Sequence, residues 1–486
     1  GRTGEIPKFL SGFLKQIFDA TSGTILDDPD IEAIRAVRQL TGFAKKVERP
    51  TTTVREKLAF DSYIKCDAEI GQWEDNISPT LDWSRFDSIS TMLYGQFFSD
   101  LERKLEAGEL YPKHGPGATA DRLRGNAKWS QQVWTDRLEP YFPSGEWLVP
   151  NWSYLPDIQD VQFHAPEQEL PVRVIGVPKT LKTLRIIAIE PTCMQYAQQA
   201  LLGGIVGLLK ERGSSSLLPR LIGWKDQTAN HRMAYLGSLD GTMATLDLSE
   251  ASDRVSMLVV RRMMRNHKSL LGAVEACRSE RAGLSDGRDI PVLRKFASMG
   301  SALTFPMEAM VFMIIVLIGI EAHRGQKLDR RLIHELASTT RVYGDDIIVP
   351  TDSAQSVAIS LETFGLKVNR SKSFWTGKFR ESCGRDYYDG HDVSYVKVRR
   401  DFPSNARDAQ GIISTVSLRN QLYKAGMWQT VRRLDDFLEG LIPFPAVAET
   451  SPALGKHSAL GYDTERWDKD LQRPLVKAAV VHAPIP

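Results

Sequence analysis

The feature that most constrains this chain is a pair of adjacent aspartates, Asp345-Asp346, that follows Gly344. Short apolar runs, Val342-Tyr343 and Ile347-Ile348-Val349, lie on either side. Such runs around a Gly-Asp turn predict a tight β-hairpin. Two carboxylates about 4 Å apart at its tip repel each other by on the order of 4 kcal/mol at an effective dielectric of about 20. A bound Mg²⁺, which prefers hard oxygen ligands, removes this repulsion. The alternative is a surface hairpin whose acidic side chains are solvated.

Size and composition exclude several classes of protein. The 486 residues predict more than one subdomain, and 42% hydrophobic with 25% charged residues is typical of a globular protein. Because the net charge is only +2, any nucleic-acid site needs locally concentrated basic residues. The four cysteines form no Cys-x-x-Cys pair, which argues against zinc and against a disulfide framework. The most apolar run, residues 309–320, is too short to span a bilayer and predicts a buried helix, so no membrane is expected.

A third aspartate lies upstream of the hairpin. Residues 243–246 predict a strand that ends at Asp247, and a helix follows with Ser252 as its predicted N-cap. A strand that ends in an acid facing a helix N-terminus is a common place for a metal ligand, and simple capping is the alternative. Downstream of the hairpin, further strands are predicted at Leu366–Asn369 and Val393–Val398.

Positive charge is concentrated in one predicted hairpin. Its strands are Val172–Val177 and Leu184–Ile189, its linker carries Lys179 and Lys182, and Arg185 enters the second strand. No acid interrupts this stretch, whereas a surface arm more often mixes both signs of charge. The pattern therefore favours contact with a triphosphate or with RNA over a solvated arm.

Two neighbouring segments are less specific. Residues 111–121, YPKHGPGATAD, form a Gly/Pro loop that most simply turns the chain. Residues 122–129 interleave cations with Trp129, a pattern of single-strand binders that a solvated helix face explains equally well.

The three aspartates occur in an order that can bring them to neighbouring strand ends of one sheet. Three carboxylates around two divalent ions roughly 3.5–4 Å apart form the clamp for in-line phosphoryl transfer. Positioning and charge stabilisation carry such a reaction, and little covalent chemistry is asked of the protein.

The ordered motifs resemble those of viral RNA-directed RNA polymerases, and more narrowly the replicase catalytic β subunit of leviviruses, the positive-strand RNA bacteriophages. The motifs are HGPGATAD (114–121), VPKTLKTLRIIAIEP (177–191), DLSEASD (247–253), SMGSALT (298–304), YGDD (343–346) and FRESCG (379–384). The resemblance implies an α+β right-hand fold of fingers, palm and thumb, with an antiparallel palm sheet flanked by helices. It assigns 1–240 to an N-terminal region and fingers, 241–400 to the palm with a fingers insertion near 265–295, and 401–486 to the thumb and C-terminal tail.

The resemblance also implies roles for individual residues. Asp247, Asp345 and Asp346 would be the metal ligands, and Lys372 a proton donor to pyrophosphate. The substrate-binding residues would be Lys179, Lys182 and Arg185 for the triphosphate, Asp253 for the ribose 2′-hydroxyl, and Ser298, Gly300 and Thr304 for the sugar and template. FRESCG would contact the primer strand. One departure stands out: many RNA polymerases of other viruses carry Asn four residues after the loop Thr, where this chain has Glu308.

The implied cofactors are two Mg²⁺ ions, with Mn²⁺ able to substitute. The implied partners are a single-stranded RNA template, nascent RNA, nucleoside triphosphates, host translation elongation factors and a ribosomal protein, in the cytoplasm of the infected bacterial host. A reverse transcriptase is one alternative, although such enzymes usually carry a bulkier residue than Gly344 and an aromatic residue shortly after the first Asp. A catalytically inactive RNA-binding protein on the same fold is the other, and the three intact aspartates argue against it.

Overall fold

The protein is described by a computed structural model over residues 1–148, 159–180 and 183–482. Its helices are α1 Ser11–Leu14, α2 Ile31–Gly42, α3 Thr53–Asn76, α4 Ser84–Glu106, α5 Ser144–Trp147, α6 Thr192–Arg212, α7 Leu217–Leu221, α8 Thr228–Asp240, α9 Met257–Met264, α10 Lys268–Ala276, α11 Thr304–Arg324, α12 Arg330–Leu336, α13 Ala354–Thr363, α14 Ala409–Lys424 and α15 Trp428–Glu439. Its strands are β1 Arg2–Thr3, β2 Ile6–Pro7, β3 Val133–Thr135, β4 Gln162–His164, β5 Val172–Pro178, β6 Leu184–Ile189, β7 Met243–Leu246, β8 Ala282–Leu284, β9 Asp289–Ile290, β10 Arg341–Tyr343, β11 Asp346–Pro350, β12 Phe379–Ser382, β13 Arg385–Tyr388, β14 His391–Asp392, β15 Ala453–Leu454, β16 Arg466–Asp468, β17 Arg473–Leu475 and β18 Ala479–Val480.

The chain forms two compact units. One comprises residues 1–55, 178–184 and 393–486, and the other comprises residues 56–177 and 185–392. The chain contains both helices and sheets, which confirms the predicted mixture of the two, while the right-hand arrangement stays a prediction. The subdomain boundaries at residues 240 and 400 stay predictions.

The larger unit is built around helix α11. Its buried residues include every position from Thr304 to Leu317 except Phe305. The predicted helix 309–320 is confirmed but is longer, at 21 residues, and by length and composition it could cross a membrane. Its most apolar window is 78% buried inside the protein, as expected of a core helix.

A three-stranded antiparallel sheet, in the order β10-β11-β7, lies beside this helix. Tyr343 pairs with Asp346, so Gly344 and Asp345 alone form the hairpin turn, and the predicted hairpin is confirmed. Ile347 of β11 pairs with Leu246 of β7. The β-branched residues of β11 are buried, which fixes the register because a shift of one residue would expose them.

A second sheet has the order β6-β5-β8-β9 and includes the predicted pair β5 and β6. Strand β5 runs parallel to β8, with Arg173 opposite Gly283. Val172 and Val174 pack against Phe60 and Tyr63 of α3 in a separate small core. Farther along the chain, β12, β13 and β14 form an antiparallel meander.

The smaller unit contains the helix pair α14 and α15. Leu418, Leu422 and Val431 form its core together with Val398. The guanidinium of Arg419, which is buried, donates a hydrogen bond of 2.6 Å to Asp435 and so joins the two helices.

Three local predictions were wrong. Ser252 does not cap a helix, because residues 252–254 form a 3₁₀ turn and α9 is capped by Ser256, whose side chain accepts the N–H of Leu258. Residues 366–369 form only a single bridge, Val368 to Leu248. Residues 393–398 form no strand, because the side-chain amide of Gln39 forms hydrogen bonds with both the N–H and the carbonyl of Val396, as a neighbouring strand would otherwise do.

Gly319 lets α11 and α13 approach each other closely, and its substitution should destabilise the protein. A Cβ at Gly319 would lie 2.5 Å from the Cα of Val357, which is backbone and cannot rotate away. We expect Gly319→Ala to lower the free energy of unfolding by about 1–3 kcal/mol in urea titrations. Gly203→Ala in α6, where a Cβ would meet no atom of the described residues within 4 Å, is the matched control and should raise it by up to about 1 kcal/mol. Equal effects of the two substitutions would show that the close approach has no energetic weight.

Candidate active site

Asp247, Asp345 and Asp346 meet at one end of the β10-β11-β7 sheet. Because Leu246 pairs with Ile347, the next residue outward is Asp247 on one strand and Asp346 on its neighbour. Asp345 occupies the turn beside them, after Gly344, whose φ is 58°. A Cβ at Gly344 would lie 2.9 Å from the ring of Phe305, so this turn requires glycine. The structure thus brings together the three predicted aspartates.

The negative charges of these aspartates act on one another. Burial, together with the smaller effects of the charges of Asp345, Asp247 and Glu381, raises the pKa of Asp346 from 3.8 to about 7. The backbone N–H of Cys383 opposes this shift by donating a 2.9 Å hydrogen bond to Oδ1 of Asp346. The FRESCG turn therefore orients Asp346, a contact that the motif alone did not suggest.

Asp247 is held by residues from the segment after α13. Its Oδ2 accepts hydrogen bonds from the side-chain amide of Asn369 at 2.9 Å and from the ammonium of Lys372 at 3.3 Å. Burial lowers the pKa of Lys372, but the charge of Asp247 outweighs burial and leaves this pKa raised. Lys372 therefore lies beside Asp247, and its role as a proton donor stays a prediction. Asn369 was missed, because nothing in the sequence indicates that residues 369–372 turn back toward Asp247.

Asp253 belongs to a second group of predicted residues. Its Oδ1 accepts a hydrogen bond of 2.7 Å from the hydroxyl of Ser298 and lies 3.4 Å from the ammonium of Lys295. Thr304 donates its hydroxyl to the backbone carbonyl of Ser298 at 2.7 Å and so closes the 298–304 loop. Sequence reasoning missed Lys295.

The 298–304 loop lies against strand β6. Met299 accepts the backbone N–H of Ala188 at 2.9 Å. Gly300 has a φ of 131°, and a Cβ there would collide with the carbonyl oxygen of Ala188. Glycine at this position therefore permits the contact between loop and strand.

Glu308 connects the two groups electrostatically. It is buried, and its Oε2 has no hydrogen-bond partner among the described residues. Burial raises its pKa well above the ordinary value, and the charges of Asp345 and Asp253 raise it further. The departure from Asn was the only signal in the sequence that marked this position.

The basic arm is only partly described. Arg185 is exposed on β6, in the same unit as the aspartates. Lys179 is exposed beyond the end of β5 and belongs to the other compact unit. Lys182 lies outside the described residues. The predicted contact of these three residues with the triphosphate therefore stays a prediction.

The less specific segment 122–129 has a structural role for one cation. Lys128 is buried and donates hydrogen bonds to the carbonyls of Gly115 (2.6 Å) and Gly117 (2.5 Å). It therefore holds the Gly/Pro loop and lies on no solvated helix face. His114 of that loop stacks on Tyr196, and burial lowers its pKa to about 4.

The donor chemistry fits a hard divalent cation. In the described part of the chain, no three His, Cys, Asp or Glu side chains form a group that could hold a metal ion as they stand. The three aspartates nevertheless supply carboxylate oxygens, the ligands that Mg²⁺ prefers. Burial is the main cause of the raised pKa of Asp346, and the neighbouring negative charges add to it; a bound cation would oppose both by favouring the ionised carboxylate.

Comparison with known proteins gives a family for this chain. The family model described as RNA replicase, beta-chain, matches residues 165–434, more than half of the chain. The chain belongs to this family. The predicted resemblance is thereby confirmed.

The chain also matches individual relatives over part of their length. It is 34% identical over 261 residues to the RNA-directed RNA polymerase subunit beta of Qbeta virus (strain MX1), which covers 53% of this chain and 39% of that protein. It is 37% identical over 226 residues to the RNA-directed RNA polymerase beta chain of Escherichia phage MS2, which covers 46% and 37%. A solved BmCPV RNA-dependent RNA polymerase at elongation state matches 69% of this chain and 31% of its own, with 11% identity and a TM-score of 0.41.

Proposed function

We propose that this chain catalyses template-directed RNA synthesis from nucleoside triphosphates by two-metal nucleotidyl transfer, and so replicates a positive-strand RNA phage genome. The observation that carries the proposal is the meeting of Asp247, Asp345 and Asp346 at one sheet end, with the pKa of Asp346 raised to about 7. Membership of the RNA replicase β-chain family supports it.

Each residue of the site has a proposed task. Asp247, Asp345 and Asp346 would hold two divalent ions, Mg²⁺ with Mn²⁺ able to substitute. When bound, such ions lower the pKa of an attacking 3′-hydroxyl and neutralise charge on the phosphates. Lys372 keeps its proton because Asp247 raises its pKa, and it would donate that proton to the leaving pyrophosphate.

The substrate would be held by the two flanking groups of residues. Lys179, Lys182 and Arg185 would neutralise the triphosphate, since charge-assisted bonds to phosphate are strong. Asp253 would accept the ribose 2′-hydroxyl, with Ser298, Gly300 and Thr304 in the loop that senses sugar and template. A right-hand arrangement of fingers, palm and thumb, with boundaries near residues 240 and 400, belongs to the same proposal.

The proposed setting is the cytoplasm of an infected bacterium. The partners would be single-stranded RNA template, nascent RNA and nucleoside triphosphates, with host translation elongation factors and a ribosomal protein as additional subunits. The match spans less than half of the length of the Qbeta and MS2 relatives, so the activity of the whole protein is a proposal as well.

Incorporation of labelled nucleotide on single-stranded RNA, with and without bacterial extract, tests the activity and its dependence on host partners together. Ribonucleotide incorporation is expected. A strong preference for deoxynucleotides would instead indicate a reverse transcriptase. RNA binding without any incorporation, in either condition, would indicate an inactive RNA-binding protein.

Lys179→Ala tests the role of the basic arm. We expect the nucleotide KM to rise about tenfold, because an exposed charge-assisted bond to phosphate is lost while the aspartates are untouched. Lys327→Ala removes an exposed lysine elsewhere and should leave KM unchanged. Steady-state kinetics at varied nucleotide concentration measure KM. Equal KM values for the two variants would indicate that the arm is a solvated surface that does not bind the triphosphate.

A further inference from the structure

A fully buried lysine lies beside Asp253. The ammonium of Lys295, which is 0% exposed, lies 3.4 Å from Oδ1 of Asp253 and 3.7 Å from the ring centroid of Tyr63. A buried cation is costly unless a counter-charge and hydrogen bonds compensate it. Asp253 supplies that counter-charge, and the face of the aromatic ring adds a favourable cation–π contact.

A chain of hydroxyls reaches the same carboxylate oxygen. Ser298 donates its only hydroxyl proton to Oδ1 of Asp253 at 2.7 Å. Tyr63, whose hydroxyl oxygen lies 3.1 Å from that of Ser298, must therefore be the donor in their hydrogen bond. Burial raises the pKa of Tyr63 to about 12, so this proton is retained at neutral pH.

Helix α3 holds this arrangement from one face. Tyr63, Cys66 and Asp67 are three and four residues apart and so point the same way. Cys66 lies 3.5 Å from the backbone oxygen of Asp253, and the carboxylate of Asp67 accepts the backbone N–H of Lys295 at 3.1 Å. Both the position of Lys295 and the backbone of Asp253 are therefore fixed from the same helix.

Both donors act on Oδ1, which leaves Oδ2 available. No described residue donates a hydrogen bond to Oδ2 of Asp253, and this side chain is 17% exposed. An ionised carboxylate only accepts hydrogen bonds, so the group it can recognise is a donor such as a hydroxyl. Glu308, which stands where many RNA polymerases of other viruses carry Asn, offers no amide to orient Asp253.

We propose that Lys295 and Tyr63 are positioning residues that make Asp253 the acceptor for the ribose 2′-hydroxyl and thereby set the preference for ribonucleotides. The inference rests on the proposed polymerase function. Lys295 and Tyr63 do not touch the nucleotide; they hold one carboxylate oxygen so that the other faces it. Their loss removes a contact that only a ribonucleotide makes.

The experiment compares kcat/KM for ribonucleotide, 2′-deoxy and 2′-fluoro triphosphates on single-stranded RNA. The variants are Lys295→Met and Tyr63→Phe in the full chain, under the condition in which the wild type incorporates ribonucleotide. We expect the ribo-to-deoxy ratio to fall about tenfold for Lys295→Met and severalfold for Tyr63→Phe. The whole fall should come from the ribonucleotide. The 2′-fluoro analogue, which cannot donate, should behave as the deoxynucleotide does.

Two controls separate positioning from general damage. Lys128→Met removes another buried lysine, and the ribo-to-deoxy ratio should stay at the wild-type value. In an Asp253→Asn background, adding Lys295→Met should change the ratio no further, since coupled residues are non-additive. If Lys295→Met does not fold, Tyr63→Phe, which keeps the ring, decides.

The outcomes distinguish the inference from the function beneath it. Wild-type ratios in both folded variants would overturn the inference alone. A wild-type chain that incorporates no ribonucleotide, with or without extract, would overturn the proposed function and the inference together.

Discussion

Asp345→Asn should abolish nucleotide incorporation and leave the fold intact. Asp345 is exposed in a two-residue turn, so the isosteric amide disturbs no packing. The substitution removes a charged oxygen ligand from the proposed metal site, whose ions would neutralise the charge of the reacting groups. We expect the incorporation rate to fall by about 10³-fold or more, comparable with or beyond the loss of one strong electrostatic stabiliser in other enzymes.

The measurement is incorporation of labelled nucleotide at saturating divalent cation, with thermal unfolding recorded on the same samples. Asp352→Asn is the matched control, since Asp352 is an exposed aspartate just after β11. It should retain full activity. Synthesis by Asp345→Asn at the wild-type rate would show that the acidic turn is a solvated hairpin tip and that the metal proposal is wrong.

Without divalent cations, the free energy of unfolding should fall as the pH rises from about 4 to above 7. In this range the folded protein keeps a proton on Asp346, whose pKa is about 7, while the unfolded chain has released it near 3.8. The folded state thus binds more protons, and stability decreases with rising pH. A shift of this size corresponds to about 2–4 kcal/mol over the window. Glu308, whose pKa is also raised, contributes in the same direction.

Urea unfolding at several pH values, with and without Mg²⁺, measures this effect. Asp346→Asn removes the titrating group, so its slope of stability against pH should be flatter than that of the wild type. Mg²⁺ should stabilise the wild type more at pH 8 than at pH 5, because it binds the ionised carboxylates of the folded state. Parallel slopes for wild type and Asp346→Asn would show that Asp346 is not held protonated by its surroundings.

Local elements near the site were predictable because their signals are local. The hairpin around Gly344 follows from turn chemistry between β-branched runs, and α11 follows from an unbroken apolar stretch. The strand that ends before Asp247 was likewise predicted from local sequence. These elements and their order along the chain were enough to identify the three aspartates as candidate metal ligands.

Features that depend on a residue far away in the sequence were predicted wrongly or were not predicted at all. Residues 393–398 look like a strand, yet Gln39 supplies their hydrogen bonds. Asn369 and Cys383 contact the aspartates only because separate segments fold back onto the sheet. No periodicity or turn signal encodes such contacts.

The sequence by itself determined which residue types this protein can use: three aspartates, a Ser/Gly loop, a basic arm and a buried apolar helix. Only the tertiary structure decided which of them act on each other. It set Asp346 beside Asp247 through strand register, and it brought Tyr63 of α3 to Asp253, 190 residues away along the chain. The physical reason is that burial and nearby charges set the pKa of a carboxylate, and neighbouring donors decide which of its oxygens stays available. Both depend on residues from distant segments, which come together only in the folded protein.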